Sequence, residues 1–288
     1  MRTYLDCFPC FMRQALNAAR VATNDENLQR EVLNSVAKMM PQLPLSVTPP
    51  EIAQQTYKLV YKITGNNDPF RELKRIANQR ALDLYPRFKD AVARADDPLL
   101  AACKLAIAGN SIDLGPLSSP MGPDNITESA ILSPLAIDDY AEFVKRIQNS
   151  KRILYLGDNA GEIVFDRILI EELRQVRELD ISFVVRESPI INDATLYDAL
   201  SVGLDGAATI ISSGSDAPAT ILSQCSQEML GLYHSADVII SKGQGNYESL
   251  SSEHVNIFFL LKAKCQLVAR QLGVNVGDAI LMKQQANI

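Results

Sequence analysis

ILYLGDNAGEIVFDRILIEELRQV, residues 153–176, holds a complete structural unit. Ile153–Leu156 is a short apolar run suited to a buried strand. Glu162 to Val176 then carries apolar residues at the three-to-four spacing of an amphipathic helix. Asp158, Asn159, Glu162 and Asp166 are packed into the passage between the two. Acidic groups at the low-dielectric end of a core repel one another, so the turn calls for something positive among them.

Working toward the C-terminus, further β-prone runs occur at Ile181–Val185, Ala208–Ile211, Val238–Ile240 and Ile257–Leu261. Helical stretches such as ATLYDALSVGL, residues 194–204, separate most of them. Strands alternating with helices mean βαβ units and a mainly parallel sheet covered on both faces. Toward the N-terminus the pattern is helical. CFMRQALNAARVA (10–22), ENLQREVLNSVAKMM (26–40), PPEIAQQTYKLVYKIT (49–64) and PFRELKRIANQRALDLYPRFKDAV (69–92) all carry helical spacing. Pro49–Pro50 and Pro69 mark helix starts, where a missing N–H costs little. LGPLSSPMGPDN, 114–125, reads as an irregular connector, and a last helix is expected from Ile137 to Gln148. The expected fold class is α/β. A Rossmann-like, mainly parallel sheet with helices on both faces occupies 151–288. An all-helical N-terminal region, 1–150, contributes to the cleft.

A net charge of −6 over 288 residues excludes general binding to nucleic acid or to an anionic membrane surface. No apolar run approaches the roughly 18 residues of a membrane span. MRTYLDCFPCF shows no signal-peptide core, so a cytoplasmic location is expected. Five cysteines fit a reducing compartment better than a disulfide framework, and with two histidines any metal site leans on oxygen or cysteine.

In open parallel sheets ligands bind beyond the carboxyl ends of the strands. The segments there are GDNAGE (157–162), RESPIIND (186–193), SSGSDAP (212–218) and SKGQGN (241–246). Asp158 and Asp193 are separated by 35 residues, the length of one βαβ unit. With Asn159 they form a hard-oxygen set suited to Mg²⁺ or Mn²⁺. Asn159 and Asp193 also precede helical patterns, so capping alone is the competing reading. Lys242 follows a strand, and its ammonium is expected to reach the same crevice. Gly243 and Gly245 allow close backbone approach, and Asn246 is placed to cap the next helix. A tight turn with a surface lysine is the plain alternative. The loop is neither a Walker A sequence nor a dinucleotide fingerprint. Two carboxylates balance one divalent cation, and an arriving phosphate dianion then needs Lys242 and loop N–H groups. That balance is the one expected for metal-assisted phosphoryl transfer.

Asn110 and Asp113, in AGNSIDLG (108–115), are turn formers or lean over the crevice. NDPFRELK, 67–74, is expected to be a capped helix start with an exposed basic face. Cys7-x-x-Cys10 leaves packing, an accessory metal pair and a reversible disulfide open.

Seven strings in order resemble the domain-of-unknown-function 89 family, the metal-dependent damage-control phosphatases. They are DCFPCFMRQAL, DPFRELK, AGNSIDLG, GDNAGEIVFDRILIEEL, PIINDAT, ADVIISKGQGNYESL and LLKAKC, spread over about residues 4–280. The cysteine pair and the length are similar to the stand-alone prokaryotic branch. The resemblance implies a divalent metal as cofactor, Mg²⁺ or Mn²⁺ with Co²⁺ and Ni²⁺ as alternatives. It also implies a small phosphorylated metabolite, such as a sugar phosphate or a damaged cofactor, as substrate. Carried over residue by residue, the metal ligands fall on Asp158, Asn159 and Asp193, and the phosphate-binding lysine on Lys242. Glu162 and Asn110 match positions lining the site. Either Glu162 or Asp216 is a candidate proton acceptor for an attacking water. Two other classes compete: carboxyl methyl transfer from S-adenosylmethionine, which the lack of a GxGxG loop disfavours, and non-catalytic binding of a metal or metabolite.

Overall fold

The computed structural model describes residues 1–109 and 129–284. Helices α1 (Cys7–Ala22), α2 (Glu26–Met39) and α3 (Pro49–Thr64) pack around Phe11, Val32, Val36, Ile52 and Val60. The start of α3 is written into Thr48-Pro-Pro-Glu51. Thr48 and Glu51 form a reciprocal capping box, and the prolines fill the first turn, where N–H groups have no helical partner. Two long helices follow, α4 (Arg71–Ala93) and α5 (Pro98–Gly109). α5 is apolar on nearly every side and buried along most of its length, as a helix enclosed by its neighbours must be.

Beyond the short α6 (Ser129–Leu132), the chain builds one seven-stranded sheet. Its strands are β1 (Ile137–Asp138), β2 (Arg152–Leu156), β3 (Asp180–Val185), β4 (Thr209–Ser212), β5 (Val238–Lys242), β6 (Ile257–Lys262) and β7 (Ala279–Lys283). The connecting helices are α7 (Tyr140–Gln148), α8 (Glu162–Val176), α9 (Leu196–Ser201), α10 (Gln227–Ser235), α11 (Gly243–Leu250) and α12 (Gln266–Leu272). The spatial order is β1-β7-β6-β5-β2-β3-β4, parallel except for β7 against β6. All five expected strands and the expected α8 are present. Along β2, Ile153 and Tyr155 enter the core shared with α4, α5 and α8, while Leu154 and Leu156 enter the core on the opposite face. Both faces are covered, which is why these strands read as unbroken apolar runs.

Two expectations need correction. The helix expected from Ile137 begins at Tyr140, because Ile137–Asp138 pairs with Ile280–Leu281 of β7 as an edge strand. β7 itself, Ala279–Lys283, had not been expected. A pairing partner some 140 residues away leaves no local periodicity to read. The larger core draws on residues 81–108 together with residues 143–281.

From β2 the chain runs outward through β3 to β4, and from β5 it runs the other way through β6 to β7. The order therefore reverses between β2 and β5, where Leu156 lies beside Ser241. The crevice at such a switch point is where open α/β sheets hold ligands. The loop that begins at Gly157 and the start of α11 at Gly243 meet there.

Candidate active site

Backbone pairing ties the loops after β2 and β3 together. Ala160 N donates to Asn192 O at 2.9 Å, Ala194 N donates to Asp158 O at 2.8 Å, and Asn159 and Asp193 form an isolated antiparallel bridge. Asp158, Asn159 and Asp193 are consequently side by side and buried. Gly161 makes the turn possible at φ +80°, and its N–H donates to Asn78 Oδ1 of α4 at 2.6 Å.

Helix capping does not account for these residues. α8 has Gly161 at its N-cap with no side-chain cap, and α9 is capped by Thr195 with Asp198. Asn159 instead donates its amide to Asp158 Oδ2 at 2.7 Å and to Glu162 Oε2 at 3.3 Å. With its N–H₂ group held by carboxylates, the amide oxygen is the end left to act as a ligand. Asp193 Oδ2 accepts from Arg186 Nε at 2.7 Å, and Arg186 Nη2 donates to Gly157 O at 3.3 Å. Sequence reasoning gave Arg186 no role. Its only local signal is its place as the first residue after β3.

Lys242 differs from expectation. Its ammonium is fully buried and donates to Ala106 O at 2.9 Å, to Glu162 Oε1 at 2.6 Å and to Asp166 Oδ1. Three partners take all three protons, so the side chain lies beneath the crevice rather than projecting into it. The positive group that the acidic turn called for is Lys242 for Glu162 and Asp166, and Arg186 for Asp193. Asn246 also differs: α11 begins at Gly243, and the Asn246 side chain clamps three loops. It accepts from Thr220 N at 2.7 Å and donates to Gly157 O at 3.2 Å and Lys242 O at 2.8 Å. Gly243, at φ +80°, turns the chain from β5 into α11. Asp216 is held at the edge by Lys58, at 2.9 Å, and by Gln54. Burial pushes its acid up, but Lys58 and Gln54 outweigh that and keep it below the usual carboxylate range, unsuited to accepting a proton near neutrality.

The start of α4 is corrected too. Phe70 precedes it without a side-chain cap, and Lys74 is buried against Asp198 at 3.1 Å rather than exposed. Asn110 and Asp113 lie outside the described residues. Cys7 and Cys10 open α1 as free thiols, both pushed up chiefly by burial.

The two acids of the centre are both shifted upward. Burial, followed by Glu162 and Asp193, pushes the Asp158 acid up to about 8, against the weaker pull of Lys264 and Arg186. Asp193 is also raised by burial despite Arg186. A bound cation would let both ionise together. Among the described residues, no three His, Cys, Asp or Glu side chains gather closely enough to hold a metal on their own. The third donor here is the Asn159 amide, and two carboxylates with an amide oxygen fit Mg²⁺ or Mn²⁺.

The sequence profile of the damage-control phosphatase ARMT1-like domain matches residues 3–280. The chain belongs to that family, also known as DUF89. A damage-control phosphatase of Pyrococcus horikoshii is 36% identical over 99% of this chain and 99% of its own. One of Archaeoglobus fulgidus is 34% identical over 95% of this chain and 96% of its own. The crystal structure of a DUF89 family protein from P. horikoshii matches at a TM-score of 0.91 and 34% identity, covering 99% of this chain and 100% of that one. The names of these damage-control phosphatases support a phosphatase, and hence a hydrolase, function for this chain. Among the described residues, no helix is long and apolar enough to cross a membrane.

Proposed function

We propose that the chain is a divalent-metal-dependent phosphomonoester hydrolase acting on a small phosphorylated metabolite, a sugar phosphate or a side-product phosphate ester. Asp158, Asn159 and Asp193 are its ligands for Mg²⁺ or Mn²⁺, with Co²⁺ and Ni²⁺ chemically compatible. The observation that carries this reading is the buried Asp158–Asn159–Asp193 cluster, tied together by the Asn159–Asp193 bridge and the Ala194 N–Asp158 O hydrogen bond, with both acids raised in pKa. When bound, the metal balances the two carboxylates and draws charge from a phosphoryl oxygen.

The chain's own residues position that centre. Lys242 holds Glu162, Glu162 accepts from Asn159, and Asn159 is thereby turned with its oxygen outward. Arg186 fixes the rotamer of Asp193 and the carbonyl of Gly157 in one contact. Lys242 and Glu162 act in this reading as positioning residues.

The test is phosphate release from an aryl phosphate and a panel of sugar phosphates, comparing chelated protein with protein resupplied with each metal. Turnover restored by metal and absent from Asp158→Ala is the expected result. Equal turnover in chelator, or full activity in both Asp158→Ala and Asp193→Ala, overturns the assignment.

A further inference from the structure

A groove opens beside the proposed metal centre, between the start of α4 and helix α9. It comprises two adjoining cavities of about 360 and 420 Å³. Asp68, Arg71 and Tyr197 line both. Thr195, two residues after Asp193, lines the first. The Tyr61 hydroxyl, which accepts from Ile191 N at 3.1 Å, lies within the electrostatic reach of both Asp68 and Asp193. The groove and the centre therefore adjoin along the loop from Pro189 to Thr195, which carries Asp193.

The wall shared by the two cavities is chemically mixed. Asp68 Oδ1 is buried and has no hydrogen-bond partner. Arg71 is exposed, and its charge acts on the Asp68 carboxyl. Tyr197 is 64% exposed, unusual for a large aromatic on a helix, and Leu196 and Leu200 of the same helix are exposed beside it. A carboxylate, a guanidinium and an uncovered aromatic face are the groups that recognise a polyhydroxylated ring. The acid accepts from hydroxyls, the guanidinium donates to them, and the aromatic face covers C–H bonds. The lone Asp68 oxygen is the most pointed feature. A buried acceptor without a donor is a standing cost, and rotation about the soft Cβ–Cγ torsion presents it to a ligand hydroxyl.

We propose that this groove receives the alcohol portion of the phosphate ester, and that Asp68 is a specificity-determining residue selecting alcohols with two adjacent hydroxyls, with Arg71 and Tyr197 completing the contact. The proposal rests on the phosphatase reading for the meaning of the groove, but its binding chemistry is tested separately from turnover.

The experiment measures binding of ribose 5-phosphate and 2-deoxyribose 5-phosphate by calorimetry, with Mg²⁺ present. It uses the full chain and the Asp68→Ala and Arg71→Met variants, with aryl phosphate turnover followed in parallel. The expected result is at least tenfold tighter binding of ribose 5-phosphate by the wild type, with that preference abolished in Asp68→Ala and weakened in Arg71→Met. Arg71 is exposed, so its substitution tests the groove even where Asp68→Ala disturbs the start of α4. A wild type without the preference, or an Asp68→Ala variant that keeps it, overturns the proposal. A preserved preference with no turnover of any ester supports the groove assignment and overturns the phosphatase reading alone.

Discussion

Lys242 Nζ lies 2.6 Å from Glu162 Oε1, and both side chains are completely withdrawn from solvent. The lysine ends strand β5 and the glutamate begins helix α8, so this ion pair joins the two halves of the sheet at the point where their order reverses. Burial by itself would lower the lysine, yet Asp166 and Glu162 hold it above its ordinary range. The pair holds Glu162 beneath Asn159, and Asn159 donates its amide to that carboxylate at 3.3 Å.

Replacing Lys242 by methionine leaves Glu162 and Asp166 buried without their cation. Breaking a buried pair in this way costs about 3–5 kcal/mol. The expected outcome is a large fall in the urea midpoint together with loss of turnover. A Lys242→Met protein with wild-type stability and lost turnover would instead place the lysine in direct contact with substrate.

Asp158→Ala and Asp193→Ala remove a proposed metal ligand but also relieve crowding between raised acids. Their turnover should fall by about 10²–10³-fold or more. Asp158→Ala should lose little stability in chelated protein, whereas Asp193→Ala leaves the buried Arg186 without its carboxylate and should be destabilised. Arg186→Met acts one contact further out, through Asp193. Supporting partners of this kind are worth about 10–100-fold in metal affinity or activity. Calorimetric Mn²⁺ titration of the three variants checks the ranking. Arg186→Met binding Mn²⁺ as tightly as the wild type would contradict it.

Gly161→Ala tests the turn itself. At φ +80° a side chain is strained, and its Cβ would stand 3.0 Å from Ala77 Cβ. Backbone strain of this type costs about 1–3 kcal/mol. The α4–Asp158 loop contact then loosens, so activity is expected to fall more than stability. Comparison of thermal melts with turnover decides this, and a variant as active as the wild type shows that the loop tolerates displacement.

A pH dependence is expected away from the site. Burial pushes the Glu248 acid from an ordinary 4.5 to about 7, with only partial relief from Gln244. A carboxyl raised in the folded state holds its proton longer than in the unfolded chain. Stability is therefore lost as pH rises from about 4.5 to about 7 and is level above that. Glu248→Gln should flatten this slope in denaturation midpoints measured across the window. A variant with an unchanged slope assigns the dependence to other groups.

The places of α8 and of strands β2 to β6 were legible because buried parallel strands are continuous apolar runs and helices repeat every 3.6 residues, patterns that lie within a few neighbouring residues. The acidic turn at Asp158 and Asn159, and Asp193 one βαβ unit later, could be read as a site from the same grammar. Lys74 and Lys242 were misplaced for the opposite reason. Their sequences look like surface loops, and only partners 124 and 80 residues away, Asp198 and Glu162, make burial of an ammonium tolerable. Arg186 was passed over because its partner is an acid that had already been assigned to metal. Sequence alone determined the α/β class and the strand ends, and it marked the acidic turn for attention, since local periodicity and side-chain chemistry encode them. Tertiary structure decided which cation neutralises which acid, and which partners the side chains of Asn159 and Asn246 take. Those outcomes depend on charges and hydrogen bonds brought together only when β2 and β5 lie side by side.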